Sequence, residues 1–322
     1  MPIYDRGIEG FIDVKEAIEF VLDDSPKSKV SLGSGKQVDY FPTKNFSLKV
    51  DKQKVLTNGT VSADRADRVL DKLDWTVNKS YIMKNDLIIL DILAANNWNR
   101  PVYFAITTGN EAYIGLTPFF QLEGLAYRLV PYLAQSFDGQ TGEVHNEVMY
   151  DNLMNKFVWG GMPARTDSGG EKGNIYMDEN NRRMCMNFRN NFSRLAENFI
   201  RLGKNDKAKE VLDRCIEVMP ENIVEYNYFM IAIAESYYKL KEYEKGNAIV
   251  RILVTNYEEE LRFYTTIKGE KRKSLQTEID RDKYILQQLI LMTNEKYKES
   301  GLATEMANRF MDINSLILTA GI

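Results

Sequence analysis

The stretch "FSRLAENFIRLGKNDKAKEVLDRCIEVMP", Phe192 to Pro220, has the spacing that decides the fold of the second half of the chain. Apolar residues recur three and four positions apart on either side of Gly203, which is typical of two amphipathic helices joined by a tight turn. The positions that make up the pattern are Phe192, Leu195, Ala196, Phe199, Gly203, Ala208, Leu212, Cys215 and Pro220. We therefore expect an α-helical hairpin that ends at the proline.

These positions match the tetratricopeptide repeat, in which a small residue lets the second helix approach the first and a proline ends the unit. A second window, "MIAIAESYYKLKEYEKGNAIVRIL" from Met230 to Leu253, fits the same pattern without the proline and begins 38 residues after the first. A third pair of helices, roughly 274–298 and 302–317, keeps the apolar spacing but lacks the signature, as a capping unit does. Residues 187–322 are therefore predicted to form an all-α tetratricopeptide-like array.

Residues 1–160 predict a mixed α/β module, so the expected fold class is an α+β module followed by the helical array. The segment "DVKEAIEFVLDD", Asp13 to Asp24, predicts an amphipathic helix with Asp13 as its N-cap. We also expect helices over 64–77 and 84–98, and "RPVYFAITT", residues 100–108, predicts a strand that is buried on both faces. Residues 161–186 begin with glycine, serine and charged residues, and are predicted to be a linker or a long loop.

Composition argues against several classes of function. The chain has 322 residues and a net charge of −4, so it offers no broad basic surface for nucleic acid. No apolar run reaches the roughly 18 residues of a membrane span, and the start of the chain lacks the features of a signal peptide. Two cysteines without C-x-x-C spacing and a single histidine, His145, lead us to expect no metal site and no cofactor. His145 is expected at the surface.

The predicted array suggests one candidate binding surface. Tetratricopeptide arrays bind partners on the concave face, which the first helices of the repeats line. The outward positions on these helices are Asn190, Ser193, Glu197, Arg201, Tyr228, Glu235 and Tyr238. Two interpretations remain open: this face docks a peptide or partner domain, or it packs against the first half of the chain.

A second candidate lies where "NNWNRPVYFAITTG", residues 96–109, is followed by "PFFQLEGLAYRLVP", residues 118–131. Gln121, Glu123 and Arg128 could bind a sugar hydroxyl or a carboxylate at a sheet edge, with neighbouring aromatic rings as a platform. The alternative is a buried ion pair and hydrogen-bond network that locks two elements together. The spacing favours the structural role without deciding the question.

Four blocks of the first half, in order, resemble a known family. They are "YDRGIEG" (4–10), "DYFPTKNFSLKVDK" (39–52), "MKNDLIILDILAANNWNRPVYFAITTG" (83–109) and "YIGLTPFFQLEGLAYRLVP" (113–131). Together they resemble the C-terminal soluble region of large Gram-negative bacterial membrane proteins. These proteins, formerly catalogued as a family of unknown function, are grouped with polyprenyl-phosphate-dependent glycosyltransferases of the GT-C type and are relatives of the animal transmembrane protein O-mannosyltransferase. The likeness covers most of residues 4–133.

The resemblance implies a parent protein whose N-terminal multi-spanning domain transfers a sugar from a lipid carrier to a Ser or Thr hydroxyl. The transmembrane helices and the catalytic loop of such proteins have no counterpart in this sequence, so no catalytic residue is carried over and we expect this chain not to be an enzyme. The resemblance further implies a periplasmic domain, tethered to the inner membrane through the full-length protein. Its expected partners are its own transmembrane glycosyltransferase domain and an acceptor protein or peptide.

The expected role is therefore acceptor binding or stabilisation of the transferase. Two alternatives belong to other classes. One is a free-standing tetratricopeptide adaptor for protein–protein interaction, and the other is a soluble carbohydrate-active enzyme that uses Glu123 and Arg128.

Overall fold

The structure is a computed structural model and describes residues 1–31, 33, 35–162 and 175–319. The chain divides into two compact units, Met1–Met149 and Tyr150–Ile322. Within the predicted linker, residues 163–174 lie outside the described residues, and a helix begins at Glu179. The fold class expected from the sequence is confirmed, because small sheets with short helices are followed by a region of helices.

The first unit is built from short strands and helices. Its strands are β1 (Ile12–Asp13), β2 (Lys29–Ser31), β3 (Gln37–Asp39), β4 (Asn45–Lys49), β5 (Lys72–Thr76), β6 (Tyr103–Ala105), β7 (Phe120–Leu122), β8 (Ala126–Leu129) and β9 (Glu143–Val144). Its α-helices are α1 (Val14–Leu22), α2 (Lys52–Thr57) and α3 (Lys84–Asn96). A further short helix, α4 (Asn146–Asp151), spans the boundary between the units.

The strands form three small sheets. In the first, β1 runs parallel to β4 and β4 runs antiparallel to β5. The second is the β2–β3 hairpin. The third has the order β6-β8-β7-β9, and its register places Arg128 on β8 between Tyr103 on β6 and Gln121 on β7. Because cross-strand neighbours project from the same face of a sheet, these three side chains lie side by side.

The local sequence specifies where helix α1 begins and which of its faces is buried. Asp13 precedes it with extended backbone, and its side-chain Oδ1 accepts a hydrogen bond from the backbone N–H of Lys15 at 3.0 Å. Val14, Ala17, Ile18 and Val21 are buried, and the helix packs against α3. The predicted N-cap, the helix at 13–24 and the helix at 84–98 are thus confirmed.

Two predictions in this unit are wrong. The region 64–77, predicted as a helix, forms a 3-10 helix (Ala63–Arg68) followed by strand β5. Leu73 and Trp75 are buried at a period of two residues, and the antiparallel partner β4 supplies the hydrogen bonds that favour this period. Strand β6 is not buried on both faces. It is an edge strand in which the Phe104 side chain is buried, whereas the Tyr103 side chain, on the opposite face, is exposed.

The second unit is helical. After a π-helical turn (Asn152–Lys156) come α5 (Glu179–Arg201), α6 (Asn205–Val218), α7 (Phe229–Lys239), α8 (Tyr243–Thr266), α9 (Glu270–Lys273), α10 (Gln276–Leu291) and α11 (Ser300–Thr319). A second π-helical turn, Met292–Lys296, extends α10. Helix α5 packs on α6 and α7, α7 packs on α8, and α8 packs on α10 and α11.

The predicted hairpin at 192–220 is confirmed as the pair α5 and α6. The apolar positions of the pattern are buried, and Gly203 turns the chain with a φ of +70°. Such a φ favours glycine because a Cβ crowds the backbone in the left-handed region. The second hairpin, α7 and α8, makes the equivalent turn at Lys241, where φ is +63°. Both helical pairs therefore form where the sequence places them.

Candidate functional site

Gln121, Glu123 and Arg128, the candidate at the sheet edge, lie together in the first unit. Gln121 is 3% exposed and Glu123 is 8% exposed. The side-chain Nε2 of Gln121 donates to Oε1 of Glu123 at 2.6 Å, and Nη1 of Arg128 lies 3.6 Å from the same oxygen. A charge-assisted hydrogen bond in so little water is strong, so the carboxylate is held in place.

Tyr103 is a further partner of Glu123. Its hydroxyl donates to Oε2 of Glu123 at 3.0 Å. Burial raises the pKa of Tyr103 and the adjacent Glu123 carboxylate raises it further, so the phenol stays protonated and keeps donating. Arg128 also donates from Nη2 to the carbonyl oxygen of Gly59 at 3.3 Å. Each oxygen of the Glu123 carboxylate thus faces a donor.

Arg65 and Tyr132 extend the network on the other side of Gln121. The Tyr132 hydroxyl donates to Oε1 of Gln121 at 2.5 Å, and Nη1 of Arg65 donates to that oxygen at 3.0 Å and to the Tyr132 oxygen at 2.9 Å. Burial is also the main cause that raises the pKa of Tyr132. The Gln121 side chain therefore connects the neutral phenol of Tyr132 and the guanidinium of Arg65 to the carboxylate of Glu123.

A second ion pair flanks this chain of contacts. Arg68 binds Glu143 through two hydrogen bonds of 2.9 and 2.7 Å, and Arg65 lies 3.7 Å from Glu143. Hydrogen bonding to Glu143 raises the pKa of Arg68. Arg65, Arg68, Tyr132 and Glu143 were not predicted as site residues. Arg65 and Arg68 are three residues apart in the 3-10 segment. This spacing alone does not predict that the segment contacts the sheet, so it gave no sign of a shared site.

We call the set Arg65, Arg68, Tyr103, Gln121, Glu123, Arg128, Tyr132 and Glu143 the sheet network. Its charges are paired and its central amide and carboxylate are shielded from water, which fits the structural interpretation of Gln121, Glu123 and Arg128. His145 is half-buried near the network, contrary to the expected surface position, and burial lowers its pKa. Its Nδ1 accepts from the backbone N–H of Val148 at 3.3 Å, so it caps α4.

The seven predicted residues of the concave face have different environments. Tyr228 is 50% exposed and Arg201 is exposed. Asn190, Glu197 and Glu235 are half-buried. Ser193 is buried in α5, because its position turns toward the packed side of that long helix. The structure therefore does not bring all seven onto one accessible surface.

Glu197 and Glu235 belong to a line of alternating charges across three helical segments. Nζ of Lys239 on α7 donates to both carboxylate oxygens of Glu197 on α5, at 2.7 and 2.8 Å, and lies 3.8 Å from Glu235. Glu235 binds Lys296 and accepts a hydrogen bond from the Tyr297 hydroxyl at 3.2 Å. We call Glu197, Lys239, Glu235, Lys296 and Tyr297 the charge ladder.

The charge ladder keeps the Glu235 carboxylate ionised. Burial of Glu235 acts to raise its pKa, but the hydrogen bond from Lys296 and the charges of Lys239 and Lys296 outweigh burial, so the pKa lies below its usual value. Lys239 and Lys296 were not among the predicted residues. Their place in the ladder depends on how α5, α7 and the π-helical turn align, which the spacing within a single helix does not specify.

Tyr238 was predicted to point outward, but its ring is only 1% exposed. The ring stacks on Tyr297 with 4.8 Å between centroids, and the hydroxyl donates to Oδ1 of Asn247 at 2.7 Å. A Cβ at Gly246 would lie 2.7 Å from the Tyr238 ring, so the glycine provides the room for this packing. The ring is a core contact between α7, α8 and the segment after α10.

One comparison with known proteins gives a match to the first unit. Residues 3–148 match the family model described as TMEM260-associated domain 2. This match supports an accessory domain associated with a membrane protein of the TMEM260 group. No curated protein and no solved structure matches the chain.

None of the helices in the described ranges is both long and apolar enough to cross a membrane. Over the same part of the chain, no group of three or more His, Cys, Asp and Glu side chains is arranged to hold a metal ion.

Proposed function

We propose that this chain is a non-catalytic, extracytoplasmic accessory region of a membrane-embedded glycosyltransferase that uses a lipid-linked sugar. In this proposal the chain faces the periplasm and is tethered to the inner membrane through the full-length protein. The observation that carries the proposal is the family match over residues 3–148, which coincides with the compact unit Met1–Met149.

The sheet network supports a structural rather than a catalytic role for that unit. A general acid or nucleophile needs an accessible group with a tuned pKa, whereas Glu123 is enclosed by Tyr103, Gln121 and Arg128. Ion pairs of this kind hold strands and the 3-10 segment in register. We therefore assign Gln121, Glu123 and Arg128 to the architecture of the accessory unit.

We further propose that the helical unit is a short tetratricopeptide-like array that binds an acceptor protein or stabilises the transferase. Of the predicted residues, Arg201 and Tyr228 keep exposed side chains, and an exposed aromatic ring is a common anchor in protein interfaces. The charge ladder gives this face a mixed character with both signs of charge. Such a face suits a polar peptide better than an apolar helix.

Two measurements test the accessory role. The first is the reading frame upstream of Met1, where we expect one continuous frame that encodes many membrane spans. The second is mass spectrometry of periplasmic glycopeptides from cells that carry the full-length gene or the same gene without residues 1–322. We expect loss of Ser- or Thr-linked glycans in the truncated strain.

Other outcomes would identify the alternatives. A natural start at Met1 with unchanged glycopeptides would favour a free-standing adaptor and overturn the proposal. Sugar transfer or glycan hydrolysis by the purified chain alone, abolished by Glu123→Gln, would instead establish a soluble carbohydrate-active enzyme. A binding titration with the purified chain, comparing Tyr228→Ala with the wild type on a panel of acceptor peptides, tests the array separately.

A further inference from the structure

Helices α8 and α10 meet at two carboxyl groups. Asp282 on α10 is fully buried, Glu260 on α8 is half-buried, and both carboxyl groups lie beside the guanidinium of Arg281. Arg281 donates from Nε to Oδ1 of Asp282 at 2.8 Å, and its Nη2 lies 2.7 Å from the same oxygen. The same Nη2 is 3.8 Å from Oε2 of Glu260, which is too far for a hydrogen bond.

One oxygen of each carboxyl group lacks a hydrogen-bond donor. Oε2 of Glu260 and Oδ2 of Asp282 are both shielded from solvent, and neither has a donor among the described residues when both groups are ionised. Two adjacent carboxylates in a buried site repel each other, and each unsatisfied oxygen costs free energy. A single proton between the two groups would remove both penalties, since a protonated carboxyl donates to its ionised neighbour.

We propose that the Glu260 carboxyl carries a proton and donates it to Asp282 in a hydrogen bond, and that this bond fastens the α10–α11 end of the helical unit to α8. With the proton in place, the remaining negative charge is balanced by Arg281. Once the proton is lost, two carboxylates face one guanidinium, and the contact between α8 and α10 weakens. The pair is thus a pH-sensitive clasp at the end of the array.

The other charged and titratable groups around the clasp strengthen this response. Glu225, in the connection between α6 and α7, acts on Glu260 with a second negative charge. Glu278 lies one turn before Asp282 on α10 and has its own shielded Oε2 atom without a donor. The phenols of Tyr257 and Tyr264 on α8 also face the pair, and burial together with these carboxylates raises the pKa of both phenols. Both phenols therefore stay neutral, and Arg281 is the cation that faces both carboxyl groups.

The direction of the response follows from the protonation of Glu260. Burial, and then the hydrogen bond to Asp282, raises the pKa of Glu260 from 4.5 to about 7. A group whose pKa is raised on folding stabilises the folded state most below its unfolded pKa, and this stabilisation is lost as the pH rises through the folded value. The clasp is therefore closed in mild acid and loosens above neutral pH.

Hydrogen exchange of the full chain at pH 6 and pH 8, corrected for intrinsic rates, tests the clasp. We expect the protection of α10 and α11 amides, relative to α5 and α6, to fall by up to about tenfold at pH 8, the change expected for one proton that titrates near pH 7. Solvent reaches part of the Glu260 side chain, so screening will reduce this factor. The only histidine, His145, belongs to the other unit and does not contribute to a local signal of this kind.

Matched variants test whether Glu260 carries the titrating proton. Glu260→Gln should abolish the pH dependence, because the amide donates to Asp282 at every pH, whereas Glu259→Gln alters an exposed neighbour and should behave as wild type. Asp282→Asn provides a second test if Glu260→Gln does not fold. Equal relative protection at pH 6 and 8 in the wild type would overturn the proposal. A pH dependence that survives Glu260→Gln but disappears in Glu278→Gln would also overturn it, since it would place the proton elsewhere.

Discussion

The sheet network and the charge ladder are both rows of paired polar side chains, but they differ in how much water reaches them. Gln121 and Glu123 are almost fully buried, whereas every charged side chain of the ladder keeps between 24% and 57% of its surface in solvent. Breaking a buried pair leaves an uncompensated charge or donor, whereas water solvates the two side chains of an exposed pair once they separate. Burial therefore decides which row contributes most to holding the fold together.

The largest effect is expected for Glu123→Ala. This change leaves Tyr103, Gln121 and Arg128 without their shared acceptor and should lower the free energy of unfolding by about 3–5 kcal/mol. Urea denaturation followed by circular dichroism measures the change. Glu111→Ala, at an exposed site of the same unit, is the control and should stay within about 0.5 kcal/mol of wild type. A loss below about 1 kcal/mol for Glu123→Ala would mean that the carboxylate is solvated and open to ligands.

A smaller loss is expected for Gly246→Ala in the helical unit. The added methyl group would lie 2.7 Å from the Tyr238 ring, and overpacking of this kind costs about 1–3 kcal/mol. Gly301→Ala is the matched control, since a Cβ there meets nothing within 4 Å and alanine favours a helix. Melting temperatures should fall for the first variant and stay level or rise for the second. Equal melting temperatures would show that the Tyr238 ring has room to move.

Tyr132→Phe should cost about 1 kcal/mol, because it removes one buried hydroxyl while Arg65 still donates to Gln121. The measurement is again urea denaturation, and Tyr81→Phe, at an exposed ring, serves as its control. An unchanged stability of Tyr132→Phe would mean that Arg65 alone satisfies the amide oxygen.

The smallest effect is expected for Glu235→Gln in the charge ladder, at most about 1 kcal/mol near pH 7. The pKa of Glu235 is lowered in the folded chain, so the contribution of this carboxylate is present above its unfolded value of 4.5 and is lost as the pH falls through the folded value. Thermal denaturation from pH 3 to 7, at low and high salt, should show wild type and variant converging in acid and in salt. A difference that persists at pH 3 would show that the effect is not electrostatic.

Local regularities of the sequence predicted the two hairpins, 192–220 and 230–253, because apolar spacing at 3.6 residues and the turn at Gly203 act over short distances. Asp13 was likewise predicted as an N-cap from its immediate neighbours. The region 64–77 was misassigned, since Leu73 and Trp75 follow the two-residue period of a strand, and the pairing with β4 is what selects that period. The family resemblance seen over residues 4–133 agrees in extent with the match over 3–148.

The candidate sites were predicted only in part. Gln121, Glu123 and Arg128 were recognised as a polar group in an apolar setting, and the sequence favoured their structural role. Tyr238, by contrast, was expected outside, because a repeat pattern does not reveal that Tyr297, almost sixty residues later, covers its ring.

Periodicity, caps and turn residues define which segments become helices, since each depends on neighbours within about four positions along the chain. The partners of Glu123 come instead from the segments that carry Tyr103, Gln121 and Arg128, and Glu260 meets Asp282 from a different helix. Charge pairing and shared protons depend on distances of a few ångströms between segments that are remote in sequence. These short distances exist only once the tertiary structure has formed. The same is true of the exclusion of water, which strengthens the interactions between the paired groups.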